Sequence, residues 1–503
     1  MDKQGQNSFH HAVTVEQMAT SREDRAKHQA DLLKQYAGTL VCFTMNMPGE
    51  IKSFPLLNRA FEEGCVCLEK QIEKSNIRTA YKEIDNKITG DECYYIFDAD
   101  ANAIKQIAME IEDGHALGRL FDFDVLFFHK IEKRLLPLNG IVYGRKERTC
   151  LICGEPVWTC ARSRRHLAKE LKDAVILMLT QYFFELYAEK LSVCAARAML
   201  YEVCTTPKPG LVDQNNSGAH KDMDLFTFID STCALSSYFK EIAKFAMCYQ
   251  GEPANIRKQI RFRGKQAEDT MYSYTNGVNT HKGLIFTMGS VCVAAGYMFA
   301  NKLEISPESL LLFCKEICAD TMDELDAADN AIHAYDPEAT EVVEHAKATK
   351  QTEYAKAVKQ TEYAKAVKHT KTTACSHGLK AYRNHQIQGV RGEAAKGFPN
   401  VILHGYPILC QLLKQGVNKS DAGVITLLHL IANVEDTNIV HRGGYQALRE
   451  IQCEIKDRIG HDSMDSLLHF AQELDQRFTL QGISPGGAAD MLALTWFLFL
   501  LFD

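Results

Sequence analysis

The sequence predicts two domains of different class, an α+β domain over residues 1–175 and an all-α domain over residues 176–503, and three observations carry that prediction. The chain has 503 residues, beyond the size at which a single hydrophobic core keeps growing, so division into domains is expected. Up to Arg165, short β-prone apolar runs alternate with amphipathic helical stretches, the mixture found in α+β folds. From Leu167 onward that alternation stops, and windows such as Ala174 to Val203 repeat apolar side chains at three and four positions, the spacing of helices packed on one another.

In chain order, Met1 to Thr20 is polar, with Asp2, His10, His11 and Glu16, and has no apolar core for a signal peptide, so export is not expected. The runs Leu40 to Met47, Tyr94 to Phe97, Leu120 to Phe128 and Gly140 to Tyr143 read as strands, and Pro55 to Glu73 as a helix. The junction is expected near Leu171 to Thr180, where no Pro- or Gly-rich linker occurs, so a continuous helix would join the domains. An insertion at 342–370 contains QTEYAKAVK at Gln351 to Lys359, an identical copy at Gln360 to Lys368, and a degraded copy at Glu344 to Lys350. Nine residues at about 100° each turn a helix by half a revolution, so Tyr354 and Tyr363 would face opposite sides and no apolar stripe forms. A solvated helical insertion or mobile loop without chemistry is expected. Met491 to Phe502 is almost wholly apolar but far shorter than the roughly 20 residues that span a bilayer, so it reads as a buried terminal helix, and no membrane association is expected.

Apolar residues make up 46% and charged residues 24%, which excludes a disordered or fibrous chain. A net charge of −7 offers no general attraction to phosphate backbones, so nucleic acid is not an expected partner. The cysteines number seventeen; scattered, odd in count and set among apolar neighbours such as those of Cys42, Cys233, Cys292 and Cys410, they read as reduced buried thiols of a cytoplasmic protein.

Two N-terminal motifs carry chemistry. GRLFDFDVLFF, Gly118 to Phe128, sets Asp122 and Asp124 two apart in a strand-like run, hence on one face. Paired carboxylates in apolar surroundings call for a cation, and Mg²⁺ carried by a polyphosphate suits them; the alternative is a strand-end pair in water. CLICGEPVWTCARSRRH, Cys150 to His166, packs Arg162, Arg164, Arg165 and His166 into five residues, an anion site if it is more than a solvated face. Cys150, Cys153, Cys160 and His166 also have the residue types of a zinc site, but the second pair lacks the spacing of a finger, so metal there is not expected.

These two segments and FTMNMPGEIKSFPLLNRAF, Phe43 to Phe61, resemble in order the family of apo-citrate lyase phosphoribosyl-dephospho-CoA transferases, over about Met18 to Leu171. The resemblance implies transfer of phosphoribosyl-dephospho-CoA to a serine of the apo acyl carrier protein, the gamma subunit of citrate lyase, with pyrophosphate leaving. Asp122 and Asp124 would then hold Mg²⁺, and Arg119, Arg162, Arg164, Arg165 and His166 would bind substrate. The aspartate pair also looks like the metal pair of nucleotidyltransferase-like folds.

In the second domain, Pro207, Pro209 and Gly210 exclude helix from a loop that concentrates Lys208, Asp213, Asn215, Asn216, His220, Asp222 and Asp224. NTHKG carries His281 and Lys282; QGVRGEAAKGFP carries Arg391 and Glu393; EDTNIVHRGG carries Glu435, Asp436, Asn438, Arg442, Gly443 and Gly444. SPGGAAD, with Gly486, Gly487 and Asp490, reads as a helix start capped by Ser484, with amides free for an anion. Each loop alone is ordinary surface; together they suggest a pocket for polyphosphate and metal.

The five loops resemble, in order, the triphosphoribosyl-dephospho-CoA synthase family from about Leu191 to Asp503. The resemblance implies that ATP and 3′-dephospho-CoA give the triphosphoribosyl adduct and adenine, so one chain would hold producer and consumer. Attack of a 2′-hydroxyl on the ribose carbon bearing adenine passes through an oxocarbenium-like state that carboxylates stabilise. Asp213, Asp222, Glu435 and Asp436 are the candidate acids, Asp222 and Asp436 the metal ligands, and His220 or His281 the proton carrier. Maturation of malonate decarboxylase and a non-catalytic carrier-protein scaffold are the rival readings.

Overall fold

The computed structural model describes residues 12–129, 134–138, 148–333 and 377–503. The strand expected at Gly140 to Tyr143 and the repeat at 342–370 lie outside them. The chain divides into two compact units, Met1–Phe184 and Glu185–Asp503.

The first unit is an α+β assembly around a five-stranded antiparallel sheet of order β2-β3-β1-β4-β5. Its strands are β1 (Thr39–Met45), β2 (Thr79–Asp85), β3 (Glu92–Phe97), β4 (Phe121–His129) and β5 (Arg134–Pro137). β1 is central and apolar on both faces, as a doubly covered strand must be. On one face Leu40, Cys42, Tyr94 and Ile96 form a buried cluster with Leu32 of α1 (Val15–Gln35). On the other, Phe43 stacks on Phe123 at 4.3 Å and on Phe61 of α2 (Pro55–Lys74) at 5.1 Å. Gly64 lets α2 come that close, since a Cβ there would sit 2.3 Å from the Phe43 ring. α3 (Ala101–Gly114), capped by Asp100, packs beside β4. Two helices follow the sheet: the short α4 (Val157–Ser163), and the long α5 (Ala168–Cys204), inside which the two units divide.

The second unit is helical among its described residues. α6 (Leu225–Cys248) and α7 (Pro253–Tyr274) lead to α8 (Lys282–Ala300), then α9 (Pro307–Ile317) and α10 (Thr321–His333). α11 (His377–His385), α12 (Gly389–Ala395), α13 (Tyr406–Lys414), α14 (Lys419–Asn433), α15 (Thr437–His461), α16 (Met464–Gln481) and α17 (Gly486–Phe502) complete it. α8 is long and apolar enough to cross a membrane, yet 72% of that apolar stretch is buried inside the fold, as in a core helix. α17 is the buried terminal helix expected from its composition.

Two expectations need correction. Ser484 does not cap α17: Pro485 occupies that position without a side-chain bond, and the Ser484 hydroxyl is directed at His220 instead. Of the thiols read as buried, Cys42 and Cys292 are, whereas Cys410 is half-buried and Cys233 is exposed, because Cys233 falls on the outward side of α6.

α6 and α8 touch through backbone: a Cβ at Gly296 would lie 2.6 Å from the Ala243 carbonyl oxygen. Gly296→Val therefore forces the helices apart and is expected to cost about 1–3 kcal/mol. Urea unfolding of the full chain followed by circular dichroism measures it; an unchanged midpoint would contradict the contact.

Candidate functional site

In the first unit, antiparallel pairing sets Asp122 opposite Thr44 and Asp124 opposite Cys42, so the two carboxylates share a sheet face as the two-residue spacing required. Loss of water around them raises both, and mutual repulsion adds to the effect at Asp124, which rises from 3.8 to about 6. Arg148 is the cation beside Asp122: its guanidinium lies 3.7 Å from Asp122 and 3.1 Å from Glu112 of α3, and donates to the Phe121 carbonyl at 3.1 Å, while Lys105 and Arg25 act on Asp124. Arg148 also lines a cavity of about 530 Å³ together with Asn46, Arg119, Arg164 and His166. Three guanidiniums thus line one cavity, and one of them, Arg148, reaches Asp122 of the carboxylate pair, an arrangement that suits a polyphosphate with its cation. Arg162 sits over the Trp158 ring at 6.0 Å, and neither it nor Arg165 lines the cavity. Arg148 and Glu112 were not singled out from sequence; Arg148 follows Arg145, Lys146 and Glu147, a mixed-charge run that reads as solvated surface.

In the second unit, the loop after α5 is held by buried polar bonds. Lys208 Nζ meets Glu202 Oε1 at 2.5 Å with both side chains buried. Asp213 accepts the amides of Lys208, Asn215 and Asn216 at 3.0, 2.7 and 3.0 Å, and Asp475 of α16 accepts Gly210 N and Asn216 Nδ2. Asp213 is thereby the organiser of this loop, with both oxygens engaged. Asn215 and Asp222 are exposed on it, and Asp224 caps α6.

Three loops then converge. His220 Nε2 lies 2.8 Å from Ser484 Oγ, and Arg442 donates to the carbonyls of Ala219 and Gly482. Asp436, almost fully buried, caps α15 through the amides of Asn438 and Ile439 at 2.8 and 3.2 Å, while its other oxygen accepts Ala488 N of α17 at 2.9 Å. The anion expected at the start of α17 is therefore a carboxylate of the chain itself. Gly486 and Gly487 keep that approach open, because Cβ atoms there would sit 2.5 Å from Asn438 Nδ2 and 3.0 Å from Asp436 Oδ2. Amides thus engage both oxygens of Asp436, the residue read as a metal ligand.

A fourth loop joins through Gly283: a Cβ there would stand 1.9 Å from Asp490 Oδ2. Burial, then Glu202 and Asp436, push Asp490 well above the usual carboxylate range; burial likewise raises Glu202 and Asp436. His281 is buried with Nδ1 2.7 Å from Ser231 Oγ, and its Nε2 has no hydrogen-bond partner. Burial and the nearby Lys208 lower it to about 3, so it is neutral at physiological pH.

The remaining candidates lie apart from this cluster or have other partners. Glu435 faces Arg449 at 3.5 Å, and Lys282 pairs with Glu268 at 3.2 Å. Glu393 accepts from Asn400, and burial lowers Arg391. Gly443 precedes Gly444, which turns the backbone of α15 at φ 87°. Glu202, Ser231 and Asp475 were missed from sequence, since acids and a hydroxyl inside amphipathic helices give no local signal.

Residues 188–503 match the family described as ATP:dephospho-CoA triphosphoribosyl transferase, and residues 13–182 match that described as apo-citrate lyase phosphoribosyl-dephospho-CoA transferase. The chain is 32% identical to protein CitXG of Haemophilus influenzae, with 96% of each chain covered. It is 30% identical to protein CitXG of Leuconostoc mesenteroides subsp. cremoris, with 97% of each covered. A 2-(5''-triphosphoribosyl)-3'-dephosphocoenzyme-A synthase of Haemophilus ducreyi is 34% identical over its whole length and 70% of this chain.

Because the folded state holds Asp124 at about 6, above its ordinary 3.8, the stability this group contributes is present below about pH 4 and lost as pH rises through about 6. Asp124→Asn is therefore expected to raise the melting temperature, by a margin that grows across that window and is level above it. Thermal melts from pH 4 to 8 measure this, and a margin independent of pH would contradict the placement.

Proposed function

The chain belongs to the ATP:dephospho-CoA triphosphoribosyl transferase family over its C-terminal part and to the apo-citrate lyase phosphoribosyl-dephospho-CoA transferase family over its N-terminal part, and from that premise we propose how its residues divide the two reactions. It is a two-enzyme transferase that makes the citrate lyase prosthetic group and attaches it. The substrates we assign are ATP and 3′-dephospho-CoA for the first reaction and the apo acyl carrier protein for the second, in a cytoplasmic setting.

For attachment, the carrying observation is Arg148, which lines the arginine cavity and lies 3.7 Å from Asp122 of the aspartate pair. Asp122 and Asp124 are suited to Mg²⁺, which when bound would neutralise triphosphate charge. Arg119, Arg148 and Arg164 line the cavity and would hold the phosphates and stabilise the departing pyrophosphate. This division of labour is that of a nucleotidyltransferase-like site, and it supports that fold as our reading of the unit.

For synthesis of the donor, Asp490 lies within electrostatic reach of Glu202 and Asp436, and Lys208 is paired with Glu202, so acids predominate around it. Such surroundings suit a ribosyl cation as adenine leaves. Asp490 and the exposed Asp222 are the acids left to face substrate or metal, while Asp213 and Asp436 position the loops. Proton transfer is assigned to His220, whose Nε2 already meets a hydroxyl; His281, lowered to about 3, is too weak a base near neutral pH and serves as an uncharged hydrogen-bonding group.

The test incubates the full chain with ATP, Mg²⁺, 3′-dephospho-CoA and apo carrier protein, following adenine by chromatography and carrier mass by mass spectrometry. Asp122→Asn is expected to lower carrier modification at least a hundredfold while adenine release continues, and Asp490→Asn to abolish adenine release. Loss of adenine release in Asp122→Asn, or failure of Asp490→Asn to modify the carrier when the triphosphoribosyl donor is supplied ready-made, with the fold intact, would refute the division.

A further inference from the structure

The segment from Arg148 to Leu167 lacks an apolar core of its own. Ile152, Val157, Trp158 and Leu167 are exposed, and the side chains it buries are two thiols, Cys150 and Cys160, each 8% exposed. Its one helix, α4, has seven residues, too few to persist in water without tertiary support. Something other than hydrophobic packing has to hold it.

The backbone forms a knuckle around the first two thiols. Thr149 pairs with Pro156, Cys150 N donates to Glu155 O at 2.6 Å, and Gly154 N closes the turn on Cys150 O at 3.1 Å. Gly154, directly after Cys153, takes φ +74°, a conformation that strains any side chain bearing a Cβ. Ile152 N points at Cys150 Sγ from 3.5 Å, an orientation that stabilises a thiolate. α4 supplies Cys160, and the left-handed turn at Arg164, φ 46°, brings His166 back toward the three sulfurs.

The ligand atoms of Cys150, Cys153, Cys160 and His166 all lie within 4.8 Å of one another. Sulfurs about 2.3 Å from a tetrahedral zinc stand about 3.8 Å apart, so the four atoms need only small shifts to enclose an ion. Cys153 and Cys160 sulfurs are 3.2 Å apart, well beyond a disulfide bond of about 2.05 Å. His166 Nε2 is buried with no hydrogen-bond partner, an arrangement that is costly for a polar atom and that a metal bond removes.

We propose that Cys150, Cys153, Cys160 and His166 bind one zinc ion in a closed structural site that forms one wall of the arginine cavity. Three thiols release their protons to solvent, neutral His166 supplies a lone pair, and all four positions are taken by protein, so the ion activates no water. Cys150, Cys160 and His166 line the cavity together with Arg164, so the ion fixes the backbone on either side of that arginine. His166 is then a metal ligand and not a phosphate contact. The finger spacing that the sequence lacks is unnecessary, because α4 and its left-handed turn, not a long helix, return the fourth ligand.

Metal content of the full-length chain, purified under reducing conditions without chelator, tests this. One equivalent of zinc is expected, lost in Cys153→Ser and His166→Ala and kept in Cys67→Ser, whose thiol lies in a separate cluster with Glu63 and His115. Cobalt(II) exchanged into the site should show thiolate charge-transfer absorption. If the variants fail to fold, alkylation of the wild type decides: Cys150, Cys153 and Cys160 should be protected until chelator is added, while the exposed Cys233 reacts throughout. Substoichiometric zinc in protein with reduced thiols, labelling unaffected by chelator, or a Cys153–Cys160 disulfide in the metal-free chain would overturn the proposal.

Discussion

Asp436 joins the starts of two helices with one carboxylate, and the site of the C-terminal unit is arranged around that junction. One oxygen accepts two amides of α15 and the other an amide of α17. Each helix start carries partial positive charge, so two such ends would repel if they met unaided. The shared carboxylate lets them converge, and the glycines at 486 and 487 supply the clearance it needs. Asp490 then follows just beyond the first turn of α17, and His220 meets Ser484 just before the helix. Placement of the groups proposed to react is therefore a consequence of a cap, with Asp490 set one helical turn further on.

The N-terminal unit solves a related problem with a strand. Antiparallel pairing fixes Asp122 and Asp124 opposite Thr44 and Cys42, and a slip of one residue would turn both carboxylates into the face packed by Phe43 and Phe123. The aromatic stack at 4.3 Å thus guards the register on which the aspartate pair depends. Arg148, reaching Asp122 and Glu112, links that pair to the cavity.

Much of this was legible beforehand, and the gaps have physical causes. β1, β3, β4, α2 and α17 announce themselves because they are buried and apolar. α1 and β2 do not: α1 buries only Ser21, Gln29 and Leu32, and β2 is an edge strand with no buried residue. The glycine-rich loops stood out by composition, yet composition could not separate groups that organise a loop, such as Asp213, from groups left to react, such as Asp490. That separation depends on which amides fold back onto each carboxylate. Asp475 and Arg148 were invisible for the opposite reason, since their partners are distant in sequence, and Glu202 because an acid within a helix reads as surface.

α8 has a further implication for how the protein is made. A helix apolar enough to enter a bilayer is a hazard while it is still unpacked, both for aggregation and for capture by membranes. Its principal neighbour, α6, lies upstream, and the two meet where Gly296 abuts the Ala243 carbonyl. Vectorial synthesis therefore delivers one covering surface before the segment that needs it, so α8 can dock onto a helix already present while the rest of its cover, from α9, α12 and α17, is still to follow.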